Sequence, residues 1–172
     1  MIPKIKKILY STDLSKNSAY AFRYALNSAK QHKAELVILH VMEVMDITTR
    51  NLVMAYVKKE YFTEKEEEKI AYAKKRIEKR LKVFFDKARV EYPELTDTNM
   101  SIGICEGYPA EEILRKADEL NCDAIVMGTH GKGLLSQTFL GSVTKKVLRR
   151  TKKPVFIIPL PKEESDLTLH DI

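Results

Sequence analysis

Residues 36–41, Leu-Val-Ile-Leu-His-Val, form a nearly continuous apolar run. A strand with one wet face alternates apolar and polar residues, whereas a run apolar at almost every position needs cover on both faces. That is the setting of a strand inside a parallel sheet, and parallel neighbours are joined by crossovers, usually helical, rather than by tight turns. The flanking sequence supplies both kinds of element. Lys7-Ile8-Leu9-Tyr10 reads as a short first strand. Residues 18–32 read as a helix, with Ala21, Phe22, Ala25, Leu26 and Ala29 on one face. Residues 98–105 are a weaker third strand in which Met100, Ile102 and Ile104 alternate. Residues 109–120 are a helix: Pro109 sits near its first position, Glu111 and Glu112 favour its positive end, and Ile113, Leu114, Ala117 and Leu120 line one face. Residues 123–127 make a fourth strand and residues 142–150 a helix. Val155–Ile158, held between Pro154 and Pro159, is a fifth strand. Strands and helices in this order predict an α/β fold with a doubly wound, five-stranded parallel sheet, Rossmann-like, in a single domain.

Between the second and third strands lies a long insert. Residues 42–57 are mixed and methionine-rich; residues 64–90 are a strongly amphipathic helix with Ile70, Ala73, Ile77, Leu81, Phe84 and Ala88 at spacings of three or four. Its other face is Lys, Arg and Glu, which reads as a helix covering the sheet with a solvated outer side; partner binding or a coiled coil is the alternative. Residues 161–172 are polar and read as a loose extension. The 172 residues fit one domain, and a hydrophobic fraction of 44% suffices for a core without disulfides or metals. Cys105 and Cys122 form no CxxC or zinc pattern and read as buried thiols. The net charge of +6 raises the question of a nucleic-acid partner. The positive charges are interleaved with Glu, however, and the densest group (Lys145, Lys146, Arg149, Arg150, Lys152 and Lys153) falls where the last helix ends and cations meet the negative end of its dipole. Nucleic-acid binding is therefore not expected. No apolar stretch approaches the roughly 20 residues that span a bilayer, so no membrane partner is expected. The apolar run near Tyr10 is too short for a signal-peptide core, which predicts a cytoplasmic protein.

Ligands of doubly wound sheets sit outside the carboxyl ends of the strands, where the strand order reverses. The segments that follow strands are residues 11–15, 41–43, 106–108 and 128 onward. The last of these runs Gly128-Thr129-His130-Gly131-Lys132-Gly133, and a further glycine opens a helix in Leu140-Gly141-Ser142-Val143. Glycines let a backbone approach a ligand closely, and a helix N-terminus offers unpaired N–H groups at a positive dipole end. Together they predict a phosphate cradle, with Ser142 either capping the helix or giving its hydroxyl to a phosphate. His130 and Lys132 are weaker candidates for the same phosphate. His40, inside a buried strand, reads as a satisfied core histidine.

Gly128, two residues, Gly131, nine residues, Gly141 and then Ser142 is a spacing that resembles the nucleotide-binding members of the universal stress protein family. The likeness runs over about residues 4–159 and includes Ile8-Leu9-Tyr10-Ser11-Thr12-Asp13-Leu14-Ser15 and Lys153-Pro154-Val155. Ser11 stands where that family often has proline. The resemblance implies an adenine nucleotide alpha hydrolase-like fold and a ligand that is ATP, ADP or AMP, with Mg2+ held through the phosphates. It also implies a stress-response or regulatory role. It places Asp13, flanked by Ser11 and Thr12, near the adenosine, and the backbone of Val41 at the adenine edge. Met127, Gly128, Thr129, His130, Gly131 and Gly133 fall at the ribose and phosphates, and Gly141, Ser142 and Val143 at the phosphate end. It further implies residues 1–160 as the nucleotide-binding domain, an insert at about 43–92, a tail at 161–172, and a homodimer formed through Val155–Ile158 at a sheet edge.

Other classes lack their signatures. There is no GxxxxGK[ST], the first turn Ser11-Thr12-Asp13-Leu14-Ser15 lacks GxGxxG, and no GxSxG elbow or paired His–carboxylate motif occurs. Nothing positions an evident general base, so the sequence supports binding, with slow ATP hydrolysis or a basic adaptor for nucleic acid or protein as the alternatives.

Overall fold

A computed structural model of the chain describes residues 2–44, 63–91, 93, 99–129 and 140–159. Five strands, β1 (Lys7–Thr12), β2 (Glu35–Glu43), β3 (Met100–Gly107), β4 (Ala124–Gly128) and β5 (Val155–Ile158), form one sheet in the order β3-β2-β1-β4-β5. Every neighbouring pair is parallel. The chain moves outward from β1 through β2 to β3, then returns to add β4 and β5 on the other side. The reversal therefore falls between β1 and β4.

Helices α1 (Lys16–His32) and α2 (Thr63–Glu91) cover one face, and α3 (Pro109–Glu119) and α4 (Ser142–Arg150) the other. The period of two along each strand sorts its side chains between them. Ile8, Tyr10, Leu36, Ile38 and Val126 meet Phe22 and Leu26 of α1 and Leu81, Phe84 and Phe85 of α2. Leu9, Val37, Leu39, Val41, Ile125 and Met127 meet Ile113 and Ala117 of α3 and Val147 of α4. Phe22 links sheet and insert, with ring centroids 5.5 Å from Tyr10 and 4.9 Å from Phe84. Burial pushes the Tyr10 phenol well above its usual range, so its hydroxyl stays protonated and donates to Ser18 O.

Local rules explain most boundaries. α1 starts at Lys16, two residues earlier than the hydrophobic pattern suggests, because Ser15 is a good cap whose Oγ accepts from Ser18 N at 3.3 Å. It ends at Lys33, held left-handed at φ 52° without a glycine to mark the stop. The alternation predicted for β3 holds only in part. Met100 and Ile104 pack on the core, but Ile102 is 39% exposed, since β3 is an edge strand. Gly107 ends β3 at φ 151°, and a Cβ there would lie 2.6 Å from Glu112 Cγ, so the turn into α3 depends on glycine. The insert helix α2 joins the core from Ile77 onward, whereas Ile70 and Tyr72 are exposed, so the predicted apolar stripe is used over its second half only. Burial lifts both thiols to about 11, and they stay protonated at neutral pH; Cys122 is buried as expected, Cys105 half-buried. The basic group after α4 is partly paired, Arg150 with Glu111 at 3.3 Å and Lys153 with Asp118 at 3.2 Å. No described helix is long and apolar enough to cross a membrane.

Candidate functional site

A cavity of about 550 Å³ opens at the carboxyl ends of the strands, at the β1/β4 reversal. Its size is that of a small-molecule site. β1 supplies Ser11, Thr12 and Asp13; the end of β2 supplies His40 to Glu43; and β4 supplies Met127 and Gly128. The start of α4, from Gly141 to Thr144, closes one side, while Pro109 and Ile113 of α3 and Ile77 of α2 add apolar wall.

The turn after β1 is tied by its own polar side chains. Thr12 Oγ1 donates to Ser18 Oγ at 2.9 Å and accepts from Leu14 N at 3.1 Å. Ser18 Oγ donates to Ser15 O at 2.8 Å. Asp13 Oδ1 accepts from Ser15 N at 3.0 Å and Ser15 Oγ at 2.6 Å. Leu14 sits left-handed at φ 63° with its side chain 6% exposed in the core, an uncommon conformation for a bulky residue that this turn and its packing hold in place. Asp13 Oδ2 is buried, and nothing among the described residues donates to it. An unmatched buried acceptor costs about 1–3 kcal/mol, so this carboxylate stands ready for a donor.

The start of α4 is held just as firmly. Gly141 N donates to Thr129 O at 2.8 Å, Thr129 N to Ile158 O at 3.0 Å, and Thr144 Oγ1 to Gly128 O at 3.1 Å. Lys145 N makes the first helical bond, to Gly141 O at 2.9 Å. The N–H groups of Ser142, Val143 and Thr144 find no acceptor among the described residues, and the cap residue, Gly141, has no side chain to offer one. Ser142 is thus the first helical residue and does not cap the helix, which excludes the first of the two roles its sequence context offered and leaves the second, its hydroxyl given to a phosphate. Gly141 has φ −57° and ψ 157°, which any residue can adopt, so it matters here for space and for the open N–H groups rather than for strain.

Of the residues singled out from sequence, Ser11, Thr12, Asp13, Val41, Met127, Gly128, Gly141, Ser142 and Val143 line this one cavity. Thr129 stands at its edge as a backbone tie. His130, Gly131 and Gly133, with Lys132, lie outside the described residues. Met42 and Glu43 fall in the strand-following segment 41–43, whereas sequence reasoning missed Ser18, Ile77, Pro109, Ile113 and Thr144 as lining residues, and no local motif marks them. It placed His40 in the core, and His40 is indeed 6% exposed, but it also borders the cavity. Its Nδ1 lies 2.8 Å from Thr12 O, and since a carbonyl only accepts, Nδ1 carries the proton.

The fold and this cavity define a doubly wound α/β protein with its site at the topological switch point. The model of the universal stress protein family matches residues 4–159. The chain is 30% identical over 155 residues to universal stress protein MJ0577 of Methanocaldococcus jannaschii, covering 89% of this chain and 94% of that one. It is 35% identical over 153 residues to universal stress protein YxiE of Bacillus subtilis, covering 88% and 97%. The solved structure of MJ0577 superposes with a TM-score of 0.64 over 94% of this chain and all of that one. A universal stress protein of Archaeoglobus fulgidus in complex with dAMP shares the fold, with a TM-score of 0.53 at 19% identity over 92% and 99% of the two chains. This chain belongs to the universal stress protein family.

Proposed function

We propose that the chain binds an adenine nucleotide, ATP foremost, and works in the cytoplasm as a regulatory protein whose state is set by occupancy. One observation carries the reading. A single cavity holds a helix start whose Ser142, Val143 and Thr144 N–H groups meet no acceptor, and an Asp13 carboxylate oxygen that meets no donor, among the described residues. The first suits a phosphate and the second a donor such as a ribose hydroxyl. In this assignment Val41 and Met127 flank the base, and Gly128, Gly141, Ser142 and Val143 face the phosphates. Thr129, His130, Gly131 and Gly133 complete the loop, and Ser11 and Thr12 support Asp13. The hydroxyl of Thr12 is already committed to Ser18 and Leu14, so Thr12 shapes the turn rather than donating to ligand. The described residues hold no group of three acidic, His or Cys side chains fit for a metal. Mg2+ would be held through the phosphate oxygens of the nucleotide.

The test is direct. Small molecules released from the denatured, purified protein are identified by mass, and calorimetry follows titration with ATP, ADP and AMP, with and without magnesium. Adenine nucleotide in the released fraction, or heat on titration, is expected. Protein that carries none and gives no heat up to about millimolar ATP, the weak end of useful affinity, overturns the reading.

The same reading includes a homodimer through β5. This strand is a sheet edge without charged residues, and Phe156 is 38% exposed. Ile125 N bonds Pro154 O and Thr129 N bonds Ile158 O, so by the period of two the main chain of Ile157 faces away from β4. An unpaired edge of this kind invites the same strand of a second copy about a two-fold axis. The Ile157 side chain packs into the α3/α4 core, so a charge there would damage the fold as well. Ile157→Pro is the cleaner variant: it removes an N–H that β4 does not use. Light scattering should find wild type dimeric and Ile157→Pro shifted to monomer. A wild-type monomer at tens of micromolar, a rough range for a stable dimer, would contradict this part.

A further inference from the structure

The side-chain ties within the Asp13 turn itself are local. Thr12, Leu14, Ser15 and Ser18 hold one another within six residues of sequence. One bond comes from elsewhere: the Nδ1–H of His40 donates to Thr12 O at 2.8 Å, across 28 residues. His40 and Thr12 are the last matched pair of the β1–β2 ladder, so this bond sits where the sheet stops and the turn begins. The next residue along β1 is Asp13, with its unpartnered oxygen, and the one after is Leu14, held in a left-handed conformation. The next residue along β2 is Val41, on the cavity wall.

We infer that His40 is a positioning residue for the nucleoside end of this cavity. Its ring fixes the terminal carbonyl of β1, and through it the aim of the Asp13 carboxylate. A buried polar ring in a strand that is otherwise apolar must find partners, and an apolar residue of similar size would pack there without that need. The bond spans the two strand ends that flank the cavity, so it sets the distance between Asp13 and the Val41 wall. The phosphate end has ties of its own, Gly141 N on Thr129 O and Thr144 Oγ1 on Gly128 O. The inference rests on the nucleotide reading above and adds a division of labour: His40 governs grip on the nucleoside and leaves grip on the phosphates alone.

Two substitutions separate this from a purely structural role. His40→Phe keeps a ring and removes the donor. His40→Asn loses ring volume, but its amide nitrogen can occupy the place of Nδ1. Calorimetry is run with adenosine, AMP and ATP, and thermal midpoints are recorded for each protein. His40→Phe should weaken all three ligands by a common factor of about tenfold, the scale of one well-made hydrogen bond. His40→Asn should stay within about threefold of wild type even if its midpoint is the lower of the two, because affinity follows the donor. Affinity that instead falls in step with the midpoint in both variants overturns the inference. So does adenosine binding by His40→Phe that matches wild type. If His40→Phe does not fold, His40→Gln replaces it, moving the donor outward by one bond; equal affinities for the Asn and Gln variants then overturn the inference. Failure of wild type to bind any adenine ligand is a different result and removes the nucleotide reading itself.

Discussion

Gly141→Asp should abolish most nucleotide affinity while leaving the fold as stable as before or slightly more so. The cap position of α4 has no side chain, and three N–H groups behind it meet no acceptor among the described residues. An aspartate there can accept from those groups itself, and as a cap it is favoured over glycine by a few tenths of a kcal/mol. The conformation of Gly141 does not oppose the change, since its φ is −57°. The new carboxylate would occupy the anion position and repel a phosphate beside it. ATP affinity should fall on the order of a hundredfold, the cost of a like charge and lost charge-assisted hydrogen bonds in a partly desolvated site. Adenosine has no phosphate and should bind within about threefold of wild type, if one neutral contact at most is altered. Titration of both ligands, with a denaturation curve for each protein, tests the assignment. Undiminished ATP affinity in folded Gly141→Asp would mean that phosphates do not lie at this helix.

Phe22→Ala should cost about 3–5 kcal/mol, the range for removing a buried aromatic ring. Phe22 is 2% exposed and lies between Tyr10 of the sheet and Phe84 of the insert helix. Its loss would open a cavity where α1, α2 and β1 meet, and neighbouring rings cannot collapse into it without leaving their own contacts. Tyr24→Ala, on the same helix but 45% exposed, is the control and should cost less than about 1 kcal/mol. Urea denaturation monitored by circular dichroism distinguishes the two. A loss below about 1.5 kcal/mol for Phe22→Ala would show that α2 does not seal this part of the core.

Both expectations depend on how much the sequence made legible. The apolar run at 36–41 and the order of elements were together enough for the parallel sheet, because a strand covered on both faces is apolar at almost every position and helical crossovers flank it. The glycine spacing pointed to the carboxyl ends of the strands, and nine of the residues chosen from sequence line one cavity there. What the sequence withheld was set by tertiary contact. That Ile102 is exposed follows from β3 being an edge, which no period reveals. The helix α4 begins at Ser142, where the sequence put it, so Gly141 takes the cap position and one of the two roles offered for Ser142 is excluded. The dual position of His40, buried yet beside the cavity, appears only when the ends of β1 and β2 are set side by side. Thr144 and Ile77 border the site from two different helices, a convergence that no local motif encodes.

The sheet divides the apolar interior into two separate clusters, and each buried apolar strand residue belongs to one of them. A substitution at Ile8 or Val126 is answered by α1 and α2; one at Leu9 or Ile125 is answered by α3 and α4. Sequence change on one side therefore sets few conditions on the other, and substitutions far apart without shared partners combine additively. A lineage can rebuild the α1/α2 side while Leu9, Val37 and Ile125 on the α3/α4 side change separately; the two sides meet at the cavity, where Ile77 joins the wall of Val41, Ile113 and Met127. Two half-problems of modest size are easier for selection to solve in turn than one interior in which every residue touches every other.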